Sequence, residues 1–396
     1  MNMKRVGTSL ALALLFGTLS AVADPPQTRI VCKSGCTYSE VADAVDSITD
    51  SATDKRYTVV VYPGTYTKSI TMKSYVGIVG FDSASTIILG TDGTCLGGTN
   101  PGSPCTQDSD CISPPSASCQ LSATAIFIGT GVTETSFTGV TIGNRYPFFW
   151  SAGGSSSTTM TVNNCTVGAL DYSTDCWYDT GTSAGHYIYA TNVTLNVNAD
   201  CIMPTPGSRF IGRNLTVISR AAGTTGFIRP GQSKGGWYVD IDGISHVSTL
   251  TGGTDRLFHW PGGIFGTTTG PILKIRNAVW SVTTTGTTAA TQTCVNVGGV
   301  NGVSTTGDFE FTNLDCSLTA TDASQTLYGY NIGSDADLAN FRMHVQGGST
   351  LTSGPGTRAD VLQNGTASGF VFEMGSNRNS GTFSGGGTVS TISYHP

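Results

Sequence analysis

One alternating pattern recurs through the middle of the chain: apolar, any, apolar, any, Asn, apolar, any, apolar. It reads MTVNNCTV around Asn164, IYATNVTL around Asn192, FIGRNLTV around Asn214, LKIRNAVW around Asn277 and FEFTNLDC around Asn313. Gly139 in FTGVTI and Asp242 in VDIDGI hold the same place. Alternation with period two predicts strands. Asn, Asp and Gly tolerate the left-handed backbone conformation. Each unit therefore predicts two short strands joined at a bend, with the bend side chains stacked into a hydrogen-bonded ladder. The bends recur every 22 to 36 residues, which suits one coil of a parallel β-solenoid.

A second column precedes the first. Short apolar runs end near Gly or Pro at comparable steps, and Phe127, Phe149, Cys176, Cys201, Phe227, Leu257, Cys294, Tyr328 and Val361 take equivalent places. Nine coils at the strand spacing of ~4.8 Å make a rod of roughly 40 Å. The prediction is an all-β chain folded as a single-stranded, right-handed parallel β-helix. A β-sandwich also has many short strands, but the recurrence of one motif argues against it. Near the N-terminus, Val41, Ala44, Val45 and Ile48 have helical spacing. An amphipathic helix there would cap the open end of the solenoid.

Composition adds a compartment. Lys4 and Arg5, the run LALALLFG and Ala21-Val22-Ala23 read as a signal peptide spanning residues 1–23 and cleaved after Ala23. The run is too short for a membrane span. Residues 24–396 then form one domain, secreted or at the cell surface. Loss of two cations takes the net charge from −6 to −8, and no basic cluster remains, which argues against nucleic-acid binding. Charged residues are 12% of the chain, a low share that fits an extracellular β-rich protein. The 11 cysteines predict disulfides with at least one thiol left over. Cys95, Cys105, Cys111 and Cys119 mark a stapled loop at 93–120, Cys32 and Cys36 can close a small loop, and Cys176 and Cys201 can stack within bonding reach. Asn164, Asn192, Asn214 and Asn364 lie in N-x-T sequons. Burial of the first three in the ladder would explain them without glycosylation.

The stretches VVVYPGTYTKSITM and IVGFDSASTIILG, after the helix, resemble the opening of pectinesterases, members of the pectin-lyase-like right-handed β-helices. SATAIFIGTGVTETSFTGVTIGN resembles their second coil. The resemblance runs from about residue 37 to 145. It departs at Lys68, where the family has Glu.

That resemblance implies two Asp and an Arg on the outer face of the first-column sheet. One Asp attacks an ester carbonyl, and the other protonates the leaving alcohol and activates water. The residues themselves point to the same type of pair. Asp175 and Asp200 each precede a column Cys, one coil apart, so inward cysteines make both Asp point outward and stack. Two carboxylates about 5 Å apart repel, which separates acid from base. By chain order Asp175 resembles the acid/base and Asp200 the nucleophile. Arg256 in DRLFHW shares their parity two coils beyond Asp200 and is the favoured arginine. Arg229 in FIRPGQ is its rival. Thr174 stands where the family has Gln, and no Gln occurs in NRYPFFWSAGG.

Trp150, Trp177 and Trp260 fall near column strands and would bind sugar rings if they point outward. His186, His246, His259 and His344 lack metal-pair spacing and read as ordinary strand residues. Asp171, Asp175 and Asp179 read as turn chemistry rather than a calcium loop. The expectation is an ester hydrolase acting on an extracellular polysaccharide without metal or other cofactor. The alternatives are a non-catalytic surface or matrix β-helix that binds glycans or proteins, and a polysaccharide lyase using a base such as Arg229 or Lys234.

Overall fold

The structure is a computed structural model. It describes residues 26–90, 93–96, 104–105, 118–121, 124–129, 131–144, 146–150, 158–168, 175–179, 185–197, 200–219, 226–230, 236–260, 270–297, 307–332, 341–363, 371–375, 378–379, 383–385 and 391–395. The expected signal peptide lies outside these residues, as do the side chains of Asp175 and Trp150.

The chain coils as a right-handed parallel β-helix. Among the described residues two parallel sheets, of 18 and 11 strands, run the length of the coil, and right-handed crossovers are the rule between parallel strands. The larger sheet bends sharply within single long strands. In Ile272–Thr284 inward residues alternate with outward ones on both sides of Asn277, as a pleated strand demands. The bend residues Asn164, Asn192, Asn214, Asn277 and Asn313 have φ between 50° and 53°.

Their amides form the expected ladder. Asn192 Nδ2 donates to Asn164 Oδ1 at 3.2 Å, Asn214 to Asn192 at 3.1 Å and Asn313 to Asn277 at 3.1 Å. The residue in left-handed geometry on the fifth coil is Gly243, with φ 85°, while Asp242 sits one place earlier, in register with Arg213 and Arg276. The carboxylate of Asp242 still accepts from Asn277 Nδ2 at 2.8 Å, so an acidic group completes the ladder from the neighbouring position. The ladder is also exposed rather than buried, because the bend projects its side chains outward.

The bend separates two unlike outer faces. Before it, Asp240, Lys274, Glu310, His344 and Glu373 follow one another in register. After it, Thr141, Thr166, Thr194, Thr216 and Ser245 do so.

The predicted helix covers Val41–Asp46, and Val41, Ala44, Val45 and Ile48 are all buried. Lys68 Nζ binds Asp43 at 3.0 Å, and Glu40 accepts from the Thr67 amide at 3.0 Å. The lysine that departs from the family pattern thus ties the helix to the strand beside it.

In the loop at 93–120 the strand Gly93–Leu96 pairs antiparallel with Pro104–Cys105 and with Ser118–Leu121. Disulfides join Cys32 to Cys36 and Cys176 to Cys201, and a third, Cys294–Cys316, crosses between the two sheets. Cys165 is free and buried. No helix among the described residues is long and apolar enough to cross a membrane.

Candidate active site

The 11-stranded sheet carries the candidate residues. Its register places Asp175 opposite Asp200, Asp200 opposite Gly226, and Arg256 opposite Thr293. Ile228 pairs with Phe258, which brings Gly226 level with Arg256. One column across adjacent coils is therefore Asp175, Asp200, Gly226, Arg256 and Thr293. The backbone stack of the two Asp lies where the cysteine parity put it, with Cys176 and Cys201 bonded inside.

The inward column runs as expected from Cys176 to Cys294 and slips at each end. Phe127 and Phe149 align with Tyr178, not Cys176. Tyr328 aligns with Thr293, and Val361 with Tyr330.

These strands do not alternate simply. Phe227 and Ile228 are both buried, as are Leu257 and Phe258. Two consecutive inward residues turn the wall of the coil, so the outward residues that flank them are three apart. Gly226 and Arg229 form one such pair, and Arg256 and His259 the next.

Arg229 therefore comes back over the column. Its Nη1 ion-pairs with Asp200 Oδ2. The carboxylate is nearly buried, at 6% side-chain exposure, and the guanidinium is 35% exposed. The arginine seen on Asp200 is thus Arg229, the rival to Arg256. Period-two parity reaches Arg256, but the doubled inward pair delivers Arg229.

Arg256 instead donates from Nη1 to His259 Nδ1. Burial, followed by the nearby charge of Arg229, pulls the Arg256 guanidinium down to about 10, with Asp200 opposing. Residue 226 has room only for glycine. A Cβ there would lie 2.7 Å from His259 Cβ and 3.3 Å from Arg229 Cβ.

A buried polar cluster fixes the start of the Arg256 strand. Asp255 is fully buried and accepts from Ser219 Oγ at 2.7 Å and Ser248 Oγ at 3.0 Å. His246 Nε2 meets the same oxygen at 2.9 Å, while its Nδ1 meets the Val217 carbonyl at 2.9 Å. The Asp255 amide donates to Gln292 Oε1 at 2.6 Å. The backbone that projects Arg256 is thus anchored from three coils.

Trp177 and Trp260 are not a sugar platform. Both are core residues, 2% and 1% exposed. Trp177 stacks on Phe148 at 6.0 Å and Trp260 packs edge-on to Trp237 at 6.3 Å. Their positions fall on the inward side once the doubled pair is counted. Among the described residues no group of three or more His, Cys, Asp or Glu is arranged to hold a metal ion.

The coil is similar to solved pectin methylesterases. PemA from Erwinia chrysanthemi is 11% identical, with a TM-score of 0.41 over 82% of this chain and 90% of that one. The enzyme from carrot is 11% identical, at 0.39 over 89% of each. The A-module of the Azotobacter vinelandii mannuronan C-5 epimerase AlgE6 is 13% identical, at 0.42 over 90% and 94%. No protein-family model matches the chain, and no curated protein matches its sequence. Likeness at this level transfers no residue role, so the chemistry rests on the side chains themselves.

Proposed function

We infer that this is an exported ester hydrolase acting on a polysaccharide that carries ester groups. The observation that carries the reading is the backbone register of Asp175 opposite Asp200, with Arg229 paired to Asp200. Asp200 is the nucleophile. Its ion pair with Arg229 holds the carboxylate in place for attack on a carbonyl carbon. Asp175, one coil away, donates a proton to the leaving alcohol and then takes one from the water that releases the acyl group. Arg256 adds a second cation beside the column and favours an acidic polymer. Three disulfides among the described residues support export.

The near burial of Asp200 favours a second reading, a β-helix that binds glycan without turnover, since a nucleophile must be reached.

One assay separates the two. Alcohol and acetate release from esterified polysaccharides is measured for wild type and for Asp200→Asn. The hydrolase reading expects release that falls by at least ~10³-fold in a folded variant. Binding of the same polymers with no release by wild type overturns it in favour of the second reading.

A further inference from the structure

An ester hydrolase needs a donor aimed at the oxygen on which negative charge develops. Arginine can only donate hydrogen bonds. His259 Nδ1 therefore accepts from Arg256, and the proton of the imidazole sits on Nε2. A cation bonded to Nδ1 draws electron density from the ring and strengthens the Nε2–H as a donor.

The same histidine is held by a close approach. A Cβ on Gly226 would lie 2.7 Å from His259 Cβ and 3.5 Å from its backbone nitrogen. Gly226 pairs in register with Asp200, so the histidine packed over this bare position lies beside the strand that carries the carboxylate.

We propose that His259 supplies the hydrogen bond that stabilises the oxyanion, and that Gly226 is the positioning residue that lets it do so. The assignment rests on the ester-hydrolase reading. Asp200 forms a bond to the carbonyl carbon, and the π electrons move to the carbonyl oxygen. His259 Nε2–H holds that oxygen and keeps its proton. As the electrons return, the bond to the alcohol breaks and the alcohol takes the proton of Asp175. Water, deprotonated by Asp175, then attacks the acyl carbon and frees Asp200.

The full chain is assayed for methanol release from methyl-esterified polygalacturonate and for acetate release from acetylated glycans. His259→Ala should lower kcat by ~10²-fold or more, with KM changed less than about threefold. His259→Gln, which keeps an N–H donor, should recover at least about tenfold of that loss. Gly226→Ala should depress kcat while removing no polar group. In ¹⁵N spectra of the wild type, His259 should show a protonated Nε2 and an unprotonated Nδ1. Wild-type activity with His259→Ala within twofold of it, or the opposite tautomer, overturns the inference and leaves the hydrolase reading standing. No release by folded wild type overturns both.

Discussion

Arg229 and Arg256 lie on neighbouring coils and differ in what they touch, so their removal has different effects. Arg229→Ala takes the ion-pair partner from a nearly buried carboxylate. It should cost about 2 kcal/mol, below the range for fully buried pairs because the guanidinium is a third exposed. Urea unfolding measures it. Arg256→Met should leave Asp200 paired and change stability less. The free thiol of Cys165 gives a pH signature. Burial pushes it up to about 11 from 9.0. The folded state therefore keeps its proton where the unfolded chain has lost it, and stability falls as the pH rises. The contribution is intact below pH 9 and declines toward pH 11, by about 3 kcal/mol at most. Cys165→Ala should flatten the alkaline limb of a stability–pH profile. Of the site, the register of Asp175 with Asp200 was legible because the two column cysteines lie one coil apart. Arg229 was legible only as the rival to Arg256, and His259 not at all, because the doubled inward pair moves the next outward residue from two places on to three.

The bend strands repeat one solution at Asn164, Asn192, Asn214, Gly243, Asn277 and Asn313, which makes the ladder a test of local backbone cost against hydrogen bonding. Asn192 both donates to Asn164 and accepts from Asn214. Asn192→Ala loses both bonds and replaces a residue that tolerates left-handed geometry with one that does not. It should cost about 2 kcal/mol, and Asn192→Gly about half of that, since glycine removes the backbone term of 1–2 kcal/mol. Equal losses in the two variants, measured by urea midpoint, would show that backbone strain plays no part. The ladder was legible from Asn alone. The place of Gly243 was not, because Asp242 and Gly243 both satisfy the pattern and only the register chooses. The charged column before the bend adds little by comparison. Lys274 meets Glu310 at 3.1 Å while both are over a third exposed, and Lys274→Ala should change stability by less than about 0.5 kcal/mol.

Coils contact mainly their neighbours, so cross-links between coils act on the solenoid as a unit. The Cys176–Cys201 and Cys294–Cys316 bridges are buried. Cys176→Ser with Cys201→Ser should cost about 3 kcal/mol through the freed unfolded chain, read as a lower denaturant midpoint. Reductant should leave the native protein unchanged until it opens. The fold class was readable because each coil repeats one alternation, but the coil count was not: nine were expected and the smaller sheet has 11 strands among the described residues, the short outer ones Ile70–Thr71 and Phe383–Gly385 carrying too little of the pattern to be read. The Cys294–Cys316 bridge was hidden because its cysteines lie on different sheets, 22 residues apart. Pulled from its two ends, a solenoid sheds coils from the edges and lengthens by each freed segment. The two bridged segments, of 25 and 22 residues, cannot extend. About 160 Å of contour length stays locked away, so under tension the oxidised protein reaches a shorter final extension than the reduced one.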